Sequence, residues 1–214
     1  MNVIMFDFDG TIANTLKLAD QVYLELSTRY QLKHFTKAEI HELKHLSFQE
    51  RLKMHHISVF KLPRMIRRTR KIVSKIILTT EPFPGIKDLI QTLIDEHYIV
   101  TIVSSNAKRN IESFLNHHQF PHFHHILGNA SFFGKDRLIK KLMKRHQDGR
   151  FLYIGDETRD IISTKEVSCP VVAVSWGFDE YEMLQKAEPD YLVFDIQNLY
   201  QVITNHFKKG TYDL

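Results

Sequence analysis

The chain has 214 residues, 43% hydrophobic and 25% charged, with a single cysteine, Cys169. This composition supports a real core and excludes a disordered chain, and one thiol excludes an internal disulfide, which fits a reducing compartment. The net charge of +4 is unevenly spread: residues 14–82 carry 14 Lys+Arg against 6 Asp+Glu, net +8, and the remainder carries 15 against 19, net −4. No apolar run approaches the ~18 residues that span a bilayer. The first strand starts too early to leave room for a signal peptide. The expectation is a cytoplasmic protein with no membrane partner; its oligomeric state is not legible.

Val3 to Phe6 form a short apolar run with β-branched members, the pattern of a buried parallel strand. Asp7, Asp9 and Gly10 follow. In an open α/β sheet ligands bind at the carboxyl ends of strands, so two carboxylates are delivered to that position at once. Two carboxylates this close repel unless a cation or proton lies between them. Oxygen ligands of this kind suit Mg²⁺. One carboxylate can attack an electrophile while its neighbour moves a proton.

From Leu16 the periodicity becomes helical, with Leu16, Ala19, Val22, Tyr23 and Leu26, then Leu43, Leu46 and Leu52, then Leu62, Met65, Ile66, Ile72, Val73, Ile76 and Ile77. No strand-like alternation appears before Pro82, so residues 14–82 are expected to form a small helical insert. Glu81-Pro-Phe-Pro-Gly85 breaks the pattern as a hinge. Beyond it, strands are expected at 98–104, 124–128, 151–155, 170–175 and 190–194, with helices between. This alternation implies an α/β fold, a doubly wound parallel Rossmann-like sheet with right-handed crossovers. The core domain is expected over 1–13 and 83–214.

Four segments carry a family resemblance. Phe6-Asp-Phe-Asp-Gly-Thr11 resembles the first motif of haloacid dehalogenase superfamily hydrolases, in their phosphatase branch. Tyr98–Asn106 ends in Ser-Ser-Asn and is similar to the second motif, whose hydroxyl binds the phosphoryl group; Ser105 is favoured over Ser104 because Ser-Asn is the usual pairing. Phe133-Gly-Lys-Asp136 resembles the third motif, with Lys135 at a helix start. Phe151–Asp160 contains Gly-Asp-x-x-x-Asp and resembles the fourth. Trp176-Gly-Phe looks like the phosphoglycolate phosphatase-like branch.

The resemblance implies a Mg²⁺-dependent phosphatase acting on a small phosphorylated metabolite, the helical insert serving as a cap domain. It implies Asp7 as nucleophile and Asp9 as acid–base. Ser105, Lys135, Gly10, Thr11 and Asn106 would hold the phosphoryl group. Asp7, Asp156 and the backbone carbonyl of Asp9 would hold the metal, and Asp160 would support it without touching the ion. The alternatives are a phosphomutase of the β-phosphoglucomutase type and a non-catalytic binding protein of the same fold. Lys44 and Ser47 are similar to the substrate-selecting segment of those mutases, whereas Phe48 replaces their arginine.

Two features stand outside this scheme. Arg64, Arg67, Arg68, Arg70, Lys71 and Lys75 crowd one helix without interleaved aromatic residues. They read first as a solvated face, and a nucleic-acid partner is not expected. His117, His118, His122, His124 and His125 cluster without ligand spacing or evident supporting groups, so metal binding there is not expected.

Overall fold

The computed structural model describes residues 1–31, 62–129 and 134–208. Six strands form one parallel sheet: β1 (Asn2–Phe6), β2 (Ile99–Val103), β3 (His125–Leu127), β4 (Arg150–Gly155), β5 (Val171–Val174) and β6 (Tyr191–Val193). Their order is β3-β2-β1-β4-β5-β6. The order reverses beside β1, between β2 and β4, which is where a doubly wound sheet opens its ligand crevice. The expected strands all form, each within two residues of the expected ends.

The helices described are α1 (Leu16–Tyr30), α2 (Leu62–Ile76), α3 (Ile86–Asp95), α4 (Lys108–His117), α5 (Lys135–Arg145), α6 (Thr158–Lys165), α7 (Tyr181–Lys186) and α8 (Ile196–Lys208), with a 3₁₀ turn at Ile77–Thr79. Among the described residues, no helix is long and apolar enough to cross a membrane.

The central strand explains itself. Val3, Ile4, Met5 and Phe6 are wholly buried because helices cover both faces of the sheet. Val3 and Met5 pack with Phe151, Tyr153, Val171 and Ala173, and with Ile139 and Leu142 of α5 and Ile161 of α6. Phe6 pairs with Ile102 on one side and Ile154 on the other. The carboxyl ends of β1, β2 and β4 therefore lie level, and the residues that follow them meet at one edge.

The chain divides into two compact units, Met1–Asn14 with Glu81–Leu214, and Thr15–Thr80. In the second, α1 and α2 pack together, Met65 and Ile72 of α2 are buried, and Arg68 pairs with Glu25. Arg64, Arg67, Lys71 and Lys75 are exposed on α2.

Candidate active site

Asp7 follows the last residue of β1, and its N–H donates to the Ile154 carbonyl at 2.8 Å. The ladder thus runs one residue past the strand and fixes the Asp7 backbone. Its carboxylate accepts the Phe8 N–H at 2.7 Å on Oδ1 and Lys135 Nζ at 2.5 Å on Oδ2. Lys135 also pairs with Asp160 Oδ1. All three side chains are buried, with residue exposures of 1%, 1% and 0% for Asp7, Lys135 and Asp160.

A lysine at the first position of a helix opposes the helix dipole. Burial also disfavours its charge, yet Asp160 and Asp7 outweigh both effects and hold the ammonium firmly protonated. Asp7 itself is pushed up to about 6, because burial and the Asp160 charge outweigh the lowering by Lys135 and, more weakly, Arg159. Asp160 is fully engaged. Tyr153 Oη lies 3.4 Å from its Oδ1, and the Glu157 N–H donates to its Oδ2 at 3.3 Å.

Asp9 lies beside the end of β2. Asn106 Nδ2 lies 3.1 and 3.0 Å from its two carboxylate oxygens. Asn106 is itself locked: its Oδ1 accepts the Ala107 N–H at 2.7 Å and Asn110 Nδ2 at 3.0 Å. The Asp9 carboxyl is pushed up to about 6, first by desolvation and then by the Asp7 charge, against the Asn106 hydrogen bond. A carboxyl held there exists in both protonation states near neutral pH, as a proton-transfer group requires. Ser104 is buried and its Oγ accepts the Asn106 N–H at 3.1 Å; Ser105 is half-buried.

Asp156 follows the end of β4. Its Oδ1 accepts Thr11 Oγ1 at 2.7 Å and its Oδ2 accepts the Phe178 N–H at 2.8 Å. Thr11 is placed in turn by Trp176, whose Nε1 donates to the Thr11 carbonyl at 3.3 Å. Two glycines make room for this carboxylate. At Gly10, whose φ is +77°, a Cβ would lie 2.1 Å from Asp156 Oδ2; at Gly177 it would lie 2.2 Å from Asp156 Cβ. Burial, then the charges of Glu157, Asp7 and Asp160, hold the Asp156 carboxyl well above the ordinary carboxylate range.

Asp7, Asp156 and Asp160 each bring a carboxylate oxygen within 4.8 Å of the others. This crowding fits a hard divalent cation, which would relieve the repulsion that one lysine only partly offsets. Each of the three carboxylates also accepts hydrogen bonds on both oxygens: Asp7 from Phe8 and Lys135, Asp156 from Thr11 and Phe178, and Asp160 from Lys135 and Glu157. Among the described residues no other group of three or more His, Cys, Asp or Glu side chains comes together this way, the histidines near 117–125 included.

The structure therefore brings together Asp7, Asp9, Gly10, Thr11, Asn106, Lys135, Asp156 and Asp160. Lys44, Ser47 and Phe48 lie outside the described residues. The sequence reading passed over Asn110, Glu157 and Arg159. The only local hint was the i,i+4 spacing of Asn106 and Asn110 and the charge density of Asp-Glu-Thr-Arg-Asp.

A sequence model of the haloacid dehalogenase-like hydrolases matches residues 4–174. The chain is 28% identical over 207 residues to a phosphoglycolate phosphatase of Synechococcus elongatus, covering 95% of this chain and 98% of that one. A phosphoglycolate phosphatase of Vibrio cholerae is 25% identical over 127 residues, 56% of each chain. Among solved structures, a predicted phosphatase from Clostridium acetobutylicum superposes with a TM-score of 0.81 at 20% identity, covering 95% of this chain and 98% of that one. A haloacid dehalogenase-like hydrolase from Streptococcus pneumoniae gives 0.76 at 20% identity, covering 94% and 98%. These two likenesses speak to the fold. The chain belongs to the haloacid dehalogenase-like hydrolase family.

Proposed function

We propose that this hydrolase is a Mg²⁺-dependent phosphatase of small phosphorylated metabolites, with phosphoglycolate the first substrate to test. The observation that carries the reading is the Asp7–Lys135 contact of 2.5 Å inside a buried carboxylate cluster. It gives one carboxylate a fixed cation on one side and a cation-binding corner on the other. A phosphate dianion would meet Lys135 there, and a metal held by the crowded carboxylates would offset their repulsion. The Synechococcus relative, aligned over nearly its whole length, supports phosphoglycolate as the starting point.

Asp7 attacks phosphorus in line, and the bond to the departing alkoxide breaks as the aspartyl-phosphate forms. Asp9, held by Asn106, protonates the alkoxide. It then takes a proton from the water that cleaves the intermediate and regenerates the Asp7 carboxylate. Lys135 and Ser105 neutralise and orient the phosphoryl oxygens, with Gly10, Thr11 and Asn106 completing the cradle. Asp7, Asp156 and the Asp9 carbonyl would hold the metal, which would supply further charge neutralisation, the larger part of catalysis in phosphoryl transfer generally. Residues 14–82 are assigned as the cap domain.

The test is phosphate release from a panel of phosphorylated metabolites and p-nitrophenyl phosphate, with Mg²⁺ and with chelator. Turnover that needs Mg²⁺ and vanishes in Asp7→Asn supports the reading. A protein inert to the whole panel, or one yielding isomerised sugar phosphate and no free phosphate, overturns it.

A further inference from the structure

One buried amide has no part in the chemistry above. Asn110 is 3% exposed and lies against Asn106, itself 9% exposed. Ala107 is the N-cap of α4, and Asn110 is the third residue of that helix. Side chains in a helix tilt towards its N-terminus, so Asn110 reaches back to the residue before the cap. Its Nδ2 donates to Asn106 Oδ1 at 3.0 Å, and the Ala107 N–H donates to the same oxygen at 2.7 Å. Two donors thus meet the two lone pairs of Oδ1. They turn the other end of the amide, Nδ2, towards Asp9, at 3.1 and 3.0 Å from its two oxygens.

Helix stability does not explain Asn110. Asparagine is a weaker helix former than alanine or leucine, and burying an amide costs free energy that its hydrogen bonds must offset. Nor is it needed as a cap, because the Ala107 N–H is already met by Asn106. What Asn110 does decide is the direction of the Asn106 amide. The two ends of that group are nearly the same size, so hydrogen bonds alone fix which end faces which neighbour. Turned over, Asn106 would aim a carbonyl oxygen at Asp9. That oxygen would repel the carboxylate form of Asp9. It would also accept the proton of the acid form and hold it back from the leaving group.

We infer that Asn110 is a positioning residue for proton transfer: by holding Asn106 Oδ1 it keeps the Asn106 amide donating to Asp9, and so leaves the Asp9 proton free for the departing oxygen. Asn110 acts only through Asn106. The inference rests on the phosphatase reading and deepens it.

The test is steady-state phosphate release by the whole protein in Mg²⁺, comparing p-nitrophenyl phosphate with the alkyl phosphate that wild type turns over best. Asn110→Leu keeps the volume and removes the amide. The worth of one hydrogen bond is about threefold to tenfold. The loss of kcat on the alkyl phosphate should exceed by about that factor the loss on p-nitrophenyl phosphate, whose leaving group needs no proton. In an Asn106→Ala background, Asn110→Leu should change the ratio of the two rates by less than about twofold, because the residue it acts through is gone. Asn110→Ala repeats both comparisons, so a leucine that disturbs folding does not stop the test. Structural damage slows both substrates alike. Equal losses on the two substrates, no loss on either, or the same selective loss with Asn106 already removed would each overturn the inference. Wild type that releases no phosphate from any alkyl phosphate overturns the phosphatase reading, and this inference with it, before any variant is made.

Discussion

Replacing Lys135 by Met tests whether the lysine is what keeps the buried carboxylates compatible with folding. Methionine keeps an unbranched stem of similar length, so the perturbation is the loss of charge and not the opening of a cavity. In wild type, Nζ lies 2.5 Å from Asp7 Oδ2 and also contacts Asp160. Removing one partner of such a buried pair costs about 3–5 kcal/mol. In domains of about 150–250 residues each kcal/mol moves Tm by roughly 2–4 °C. The metal-free variant should therefore melt about 6–20 °C lower at neutral pH.

The pH dependence has a definite sign. Lys135 is the strongest lowering influence on Asp7, which already stands at about 6 against an ordinary 3.8. Without it, the Asp7 carboxyl rises further. A carboxyl raised in the folded state favours folding below its unfolded value and loses that contribution as pH climbs through the raised one. The Tm deficit should therefore be full above that raised value and shrink as pH falls towards about 6, where the wild-type Asp7 carboxyl protonates as well. Adding Asp160→Asn to Lys135→Met removes one of the two stranded charges and should recover part of the loss. Thermal melts followed by circular dichroism in chelator, across this range, are sufficient. A Tm within about 2 °C of wild type at neutral pH, or a deficit that does not change with pH, would refute the reasoning.

Other outcomes follow from the same geometry. Asp7→Asn should abolish turnover while retaining the fold, and beryllofluoride with Mg²⁺ should occupy wild type but not the variant; near-normal activity would remove Asp7 as nucleophile. Asp9→Ala should lose ~10²–10⁴ in rate on alkyl phosphates and less on p-nitrophenyl phosphate, whose leaving group needs no proton. Equal losses on both would count against the acid–base role. Asp156→Ala should raise the Mg²⁺ required for half-maximal activity about tenfold or more, and a titration identical to wild type would displace it as a ligand. Neutralising Arg64, Arg67 and Lys71 together should lower kcat/KM and its salt dependence slightly and leave kcat unchanged. A salt-sensitive gel shift by wild type that this variant loses would point instead to a nucleic-acid partner.

What the sequence reveals and conceals here follows from how each residue is held. Strands buried on both faces read as continuous apolar runs, so β1, β2 and β4 and the polar residues at their ends stand out without any structure. Asp7, Asp9 and Asp156 are legible for that reason. The partners that tune them are not. Asn106 reaches Asp9 across 97 positions, Thr11 reaches Asp156 across 145 and Lys135 reaches Asp7 across 128. No local pattern encodes those contacts, and Lys135 emerges only through its motif. Glu157 and Arg159 were hidden differently: they are local, but their composition is equally that of a solvated helix start. Only their burial and their grip on one another separate the two cases.

This leads to a physical view of why the site looks as it does. Three buried carboxylates, with Asp9 beside them, share two nearby cations, Lys135 and Arg159, and the latter is committed to Glu157. A fold selected for stability alone would not gather them, since each raised carboxyl weakens the metal-free protein at neutral pH. Natural sequences break such rules at functional sites and compensate elsewhere. Here the compensation is legible in the wholly buried strand beneath the cluster, with Val3, Ile4, Met5 and Phe6 at 0% exposure. Burial of each such side chain contributes about 1.5–3 kcal/mol, so one central strand offsets roughly the loss of one or two stranded charges. The apolar run that makes β1 recognisable in the sequence is thus also what permits an acidic site at its end.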